Sequence, residues 1–275
     1  MDYAVFVLTV AGQRLENLGL EGAALRDQVD REGSLWSLSQ LSMLSFGIAI
    51  MIVFGAALIR RRPGLGVLAA VVMIVSVALA EALKEILPRP ELVTGPAWLL
   101  RNSFPSGTAT VAAAIAVGAL LVAPGRLRWL VIPAGAVYVA IIGQATQIVG
   151  WHRLSGAVGG VLLVFIVASI ALVALALADL IVAAEDGRVH RRIRLALLGG
   201  AAVVLALGAL ILALPVAFPL LVAPAGATSA FAHTSLDLLG VGLTIFAFVA
   251  FAYVLEPFSL GRRAQTGHRD IDWET

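Results

Sequence analysis

The chain has 275 residues, 60% of them hydrophobic and 13% charged, and carries a formal net charge of +2. A soluble domain of this length needs far more polar surface to cover its core, so a soluble globular class is excluded. The small positive charge leaves no footprint for nucleic acid, and with no cysteine there is neither a disulfide nor a thiolate metal site.

In chain order, a short apolar run at 3–11 is too brief to cross a bilayer, which takes roughly 20 helical residues. The start of the chain lacks the basic segment and small-residue cleavage site of a signal peptide. Residues 12–32 mix charges with Leu15, Leu18, Leu20, Leu25 and Val29, the pattern of an amphipathic helix at an interface or of a cap. Seven apolar runs then predict membrane spans over 38–59, 65–83, 105–123, 129–149, 157–183, 195–216 and 235–255. Beyond them, 261–275 is polar and without apolar periodicity.

The arginines set the expected orientation. Arg60–Arg62 follow the first span, Arg126 and Arg128 the third, Arg188–Arg194 the fifth, and Arg262, Arg263 and Arg269 the seventh. These are alternate loops, so the positive-inside rule places them all in the cytoplasm. The predicted location is a plasma or bacterial inner membrane. Residues 12–32, 84–104, 150–156 and 217–234 then face outward.

Three outward segments carry polar chemistry. Lys84-Glu85-Ile86-Leu87-Pro88-Arg89-Pro90 closes the second span, Asn102-Ser103-Phe104-Pro105-Ser106-Gly107-Thr108 opens the third, and Gly150-Trp151-His152-Arg153-Leu154-Ser155-Gly156 turns between the fourth and fifth. Lys84 and Arg89 offer a point charge and a planar fork for phosphate oxygens. Pro105-Ser106-Gly107 reads as a helix start, where free backbone N–H groups favour an anion. His152, beside Arg153, is the candidate nucleophile or base. Taken singly, each has a plainer reading: interfacial anchors for the cations, a generic cap for Pro-Ser-Gly, an aromatic-belt residue for His152 beside Trp151. The three together on one face point to an anion site.

The same segments resemble the type 2 phosphatidic acid phosphatase/haloperoxidase superfamily, whose pattern is Lys followed by Arg-Pro, then Pro-Ser-Gly-His, then Ser-Arg, His and an Asp four residues later. The resemblance covers roughly residues 38–183. It implies a membrane core of about six helices with the site at its outer surface. It also implies a nucleophilic His at His152, and phosphate-binding groups at Lys84, Ser106 and Gly107. The departures are specific: Thr108 stands at the position of the acid His, Gly156 at that of the orienting Asp, Ala145 and Thr146 at Ser-Arg, and Glu91 at the first Arg. Arg89 and Arg153 are the available substitutes.

A general acid contributes about 10²–10⁴-fold, which a threonine hydroxyl does not supply at neutral pH. An orienting carboxylate contributes on the order of 10⁴ in comparable His-dependent sites. The expectation is therefore a protein that binds a lipid or polyprenyl phosphate at the outer leaflet with impaired or lost phosphatase activity. The alternatives are an active lipid (di)phosphate phosphatase using His152 with substitute arginines, and a structural subunit of a membrane complex. No metal and no cofactor are expected, and the partners are the phosphorylated lipid, the membrane, and a membrane-protein partner or a second copy. The expected fold is an all-α polytopic bundle of about seven membrane helices. It divides into an outer segment (1–34), a lipid-phosphatase-like core (35–183), two additional helices (184–257) and a cytoplasmic tail (258–275).

Overall fold

The computed structural model describes residues 2–94, 101–178, 181–183, 225–255 and 258–260. The expected span at 195–216, the arginines of 188–194 and the tail from 261 onward lie outside the described residues. Helices dominate: α1 (Asp2–Phe6), α2 (Val10–Ala23), α3 (Gln28–Ser39), α4 (Met43–Ile59), α5 (Pro63–Ile86), α6 (Gly107–Val122), α7 (Gly125–Ile148), α8 (Leu154–Leu177) and α9 (Ala225–Leu255). A three-residue antiparallel ladder joins β1 (Ile181–Ala183) to β2 (Phe258–Leu260), with Val182 opposite Ser259.

Four of these helices are long and apolar enough to cross a membrane: α5, α7, α8 and α9. A fifth span arises if α3 and α4 count together, although they bend by 56° between them. Among the described residues the structure thus supports four or five spans. At 16 residues, α6 is shorter than the run of 105–123 suggests. Its reach of about 24 Å falls short of a hydrocarbon core of about 30 Å. Pro105 and Ser106 belong to its extended entry, where the Ser106 hydroxyl caps the helix by accepting from the Ala109 amide. The bend before α4 follows Gln40 and Leu41, and the side chains of Ser42 and Ser45 then form a reciprocal capping box.

The centre of the bundle is α6, whose buried face is rich in alanine and glycine, and it packs against α4, α5, α7 and α8. Small side chains let neighbouring backbones approach closely, which is how apolar helices gain contact without a hydrophobic drive between them. A Cβ on Gly160 of α8 would stand 2.6 Å from the Ser106 carbonyl oxygen, so α8 crosses the first turn of α6 almost backbone to backbone. Outward faces of α4, α5 and α8 present Met51, Ile59, Ile74, Ile166 and Ile170, each more than half exposed, to the surroundings. Such continuous apolar exposure is foreign to a water-facing surface and suits lipid. The molecule is a polytopic helical membrane protein.

α9 is integral to the bundle. Phe248 is fully buried, and Phe165 of α8 contacts both its ring and that of Phe251, while α9 packs along α2, α7 and α8. The amphipathic region of 12–32 forms α2 and α3. Gln13, Glu16 and Asn17 of α2 are buried polar residues, so this helix turns its polar groups inward.

Candidate functional site

The polar groups meet at one end of the bundle, around the loop between α5 and α6 and the turn between α7 and α8. Asn102 ties this region together. Its side-chain amide donates to the Leu87 carbonyl at 3.0 Å, and its side-chain oxygen accepts from the Phe104 amide at 3.1 Å. The Ser106 amide donates to the Gly156 carbonyl at 2.8 Å, stitching the second motif to the third. The turn itself closes through Thr146, whose carbonyl accepts from the amides of Trp151 and His152. That is the structural role of the residue standing at the expected arginine of the third motif.

His152 is held by its ring. Nδ1 lies 3.0 Å from the carbonyl oxygen of Ser103. A carbonyl only accepts, so this contact places the proton on Nδ1 and the lone pair on Nε2. Burial pushes the imidazole down to about 4, with Lys84 and Arg153 adding to the effect and the Ser103 carbonyl and Glu81 opposing it. The ring is therefore neutral at physiological pH. Gly156, at the position of the expected orienting Asp, lies beside this contact. A Cβ there would stand 2.7 Å from the same Ser103 oxygen and 3.6 Å from His152 Nδ1. The backbone carbonyl fills the place a carboxylate would need.

Lys84, Gly107 and Thr108 line a separate cleft. It has room of about 300 Å³ and is bounded also by Leu41, Ser42, Met43, Phe46, Val77, Glu81 and Val111. Lys84 Nζ donates to Glu81 Oε1 at 2.7 Å. A Cβ on Gly107 would meet that oxygen at 2.4 Å and the Lys84 nitrogen at 2.9 Å, so the pair rests on the first residue of α6. Glu81, which sequence reasoning passed over, lies three residues before Lys84 on the same helix face; that spacing was the available signal.

Arg89 and Arg153 are drawn to a different anion. Arg89 Nη1 lies 3.5 Å from Glu16 Oε2, with both side chains almost fully buried. Glu16 Oε1 accepts from the Ser155 amide at 2.9 Å. Arg153 Nη1 donates to the Arg101 carbonyl at 3.0 Å and to Ser103 Oγ at 3.4 Å, and Nη2 donates to Asn17 Oδ1 at 3.4 Å. Burial lowers Arg153 to about 10; the nearby Arg89 adds to this and Glu16 opposes it. Burial likewise raises Glu16, against the pull of Ser155, Arg153 and Arg89. Gln13 completes the attachment of α2 by donating to the Pro90 carbonyl at 2.7 Å, and the Tyr3 hydroxyl donates to the Pro88 carbonyl.

The structure thus brings the three motif segments to one end but divides their side chains. Lys84, Gly107 and Thr108 share the open cleft. His152 and Arg153 border a much smaller void with Glu16, Gln147 and His233. Ser106 is fully buried and spent on its cap. Among the described residues no cluster of three or more acidic, His or Cys side chains is arranged to hold a metal ion. No family model, curated protein or solved structure matches this chain.

Proposed function

We propose that this membrane protein binds a phosphorylated lipid in the cleft at the ends of α4, α5 and α6, and does not hydrolyse it efficiently. The observation that carries this reading is the mixed lining of the cleft, which joins Lys84, Glu81, Ser42 and Thr108 with Met43, Phe46, Val77 and Val111. A head group with acyl or prenyl chains meets both. A volume of about 300 Å³ is at the lower bound for small-molecule sites, which suits a head group whose tails remain in the bilayer. Lys84 supplies the charge for phosphate oxygens, and Glu81 beside it favours a head group that also carries a cation. By the arginine pattern the cleft opens to the outer leaflet. Thr108, in the position of the expected acid, offers a hydroxyl donor and no proton transfer at neutral pH.

The deciding experiment measures phosphate release by the detergent-purified protein from phosphatidic acid and undecaprenyl diphosphate, together with lipid retained through purification. Retained phospholipid that is lost in Lys84→Ala, with no release, is the expected result. A preparation that holds no phosphorylated lipid under any condition sinks the proposal.

One observation favours a second reading, an active phosphatase. His152 is neutral, with Nδ1 anchored and Nε2 left as the nucleophilic nitrogen. A diphosphate has a better leaving group and depends less on an acid. Turnover that vanishes in His152→Ala supports this alternative; turnover unchanged in that variant excludes it.

A further inference from the structure

Glu16 sits among donors built for a larger anion. Its Oε1 takes the Ser155 amide in the first turn of the 24-residue α8, and its Oε2 faces Arg89 Nη1 at 3.5 Å without a hydrogen bond. Arg89 is almost fully buried, with 4% of its side chain exposed, and its Nη2 has no hydrogen-bond partner among the described residues. Arg153 lines the same small void as Glu16 and reaches Asn17, the next residue of α2, through Nη2. One carboxylate leaves the Arg89 guanidinium underfilled. A phosphate, with three or four oxygens, satisfies a helix-terminal amide and a guanidinium fork at once. The void beside Glu16 and His152 measures only about 10 Å³, roughly one water, so no phosphate enters while the carboxylate is present.

We propose that Arg89, Arg153 and the Ser155 amide form a phosphate-binding site that Glu16 of α2 occupies from within, making α2 a self-inhibitory cap. An incoming phosphate group, free or on a lipid, displaces the Glu16 carboxylate and releases α2 from the end of the bundle. The proposal is separate from the Lys84 cleft and stands whether or not that cleft binds lipid.

α2 can be locked in place in this cysteine-free chain. A Cβ on Gly19 would stand 4.0 Å from Cβ of Leu236 on α9, inside the range for a disulfide. The Leu236 Cδ1 that crowds Gly19 disappears when Leu236 becomes cysteine.

The test is calorimetric titration of the full chain in detergent with inorganic phosphate and, separately, with dioctanoyl phosphatidic acid, all in a Lys84→Ala background. Glu16→Ala is expected to bind at least one of the two at least tenfold more tightly than the chain retaining Glu16. The arm that gains affinity identifies the source. Gly19→Cys/Leu236→Cys, with Glu16 retained, is expected to bind neither ligand when oxidised and to bind again on reduction. Should Glu16→Ala fail to fold, the oxidised and reduced forms carry the test alone. Equal affinity in all forms, or binding in none, overturns the proposal and leaves Glu16 a structural counter-ion. Phosphatidic acid bound by the chain retaining Lys84 but by no form in the Lys84→Ala background belongs to the cleft and overturns the Glu16 site.

Discussion

The carbonyl oxygen of Ser103 stands 3.0 Å from Nδ1 of His152 and would stand 2.7 Å from a Cβ at position 156. One backbone atom thus orients the imidazole and crowds out any side chain at position 156, where the sequence resemblance leads one to expect an aspartate. A neutral acceptor does less than a carboxylate to stabilise a cationic or phosphorylated imidazole, so this His is positioned without being strongly activated.

Gly156→Asp is therefore expected to destabilise the protein and not to rescue it. Forcing a Cβ against backbone costs about 1–3 kcal/mol. Denaturant unfolding in detergent reads the loss. Wild-type stability, with new phosphatase activity when combined with Thr108→His, would show that the Ser103 loop yields freely.

His152 makes stability depend on pH in a defined direction. Its folded pKa of about 4 lies below its usual value of 6.5, so between these values the unfolded chain binds more protons than the folded one. Stability conferred by the neutral ring is complete above about pH 6.5 and is lost as pH falls toward 4. His152→Gln flattens this dependence. A thermal-unfolding series across pH 4–7 in both proteins checks it; identical slopes contradict the burial of the ring.

Gly107→Ala directs a methyl group at the Glu81–Lys84 pair, 2.4 Å from Glu81 Oε1. Both partners end flexible side chains, and Glu81 is more than half exposed, so the cost in stability is expected to be under about 1 kcal/mol. Lipid-phosphate affinity is expected to fall by about tenfold, because the cation leaves its place at the cleft. Comparison of unfolding and lipid binding in the same preparation separates the two effects.

Glu81→Gln removes the carboxylate competing for Lys84. Affinity for an anionic lipid such as phosphatidic acid is expected to rise, while affinity for a zwitterionic phospholipid falls. Native mass spectrometry with defined lipids reports both. A parallel change for the two lipids would mean that Glu81 does not read the head group.

Gly22→Ala tests the seat of α2 on α9. Its Cβ would meet the Ser229 carbonyl oxygen at 2.1 Å and His233 Cβ at 2.6 Å, and backbone cannot step aside as a side-chain tip can. The nearby contact of Arg26 with Asp237 at 3.1 Å is expected to loosen with it. Protease sensitivity of residues 10–40 should increase. An unchanged digestion pattern would show that α2 is held elsewhere.

Hydropathy and periodicity by themselves determined that this chain is a helical membrane protein, because burying or embedding so many apolar residues leaves no other option. Three short segments rich in Lys, Arg, Ser, Gly and His also marked the end of the bundle where buried polar groups gather, since helix starts and turns are legible as local chemistry. Span counting was less exact: an apolar run such as 105–123 does not reveal where a cap ends and α6 begins. Partnership was invisible. Lys84, Arg89 and Arg153 read as free cations because their anions are chosen in three dimensions: Glu81 by helix register, Glu16 across 73 residues of chain to Arg89. Whether a charge is available to a ligand depends on the nearest opposite charge and on desolvation, and both are set only when α2 folds back over the α5–α6 loop and the turn before α8.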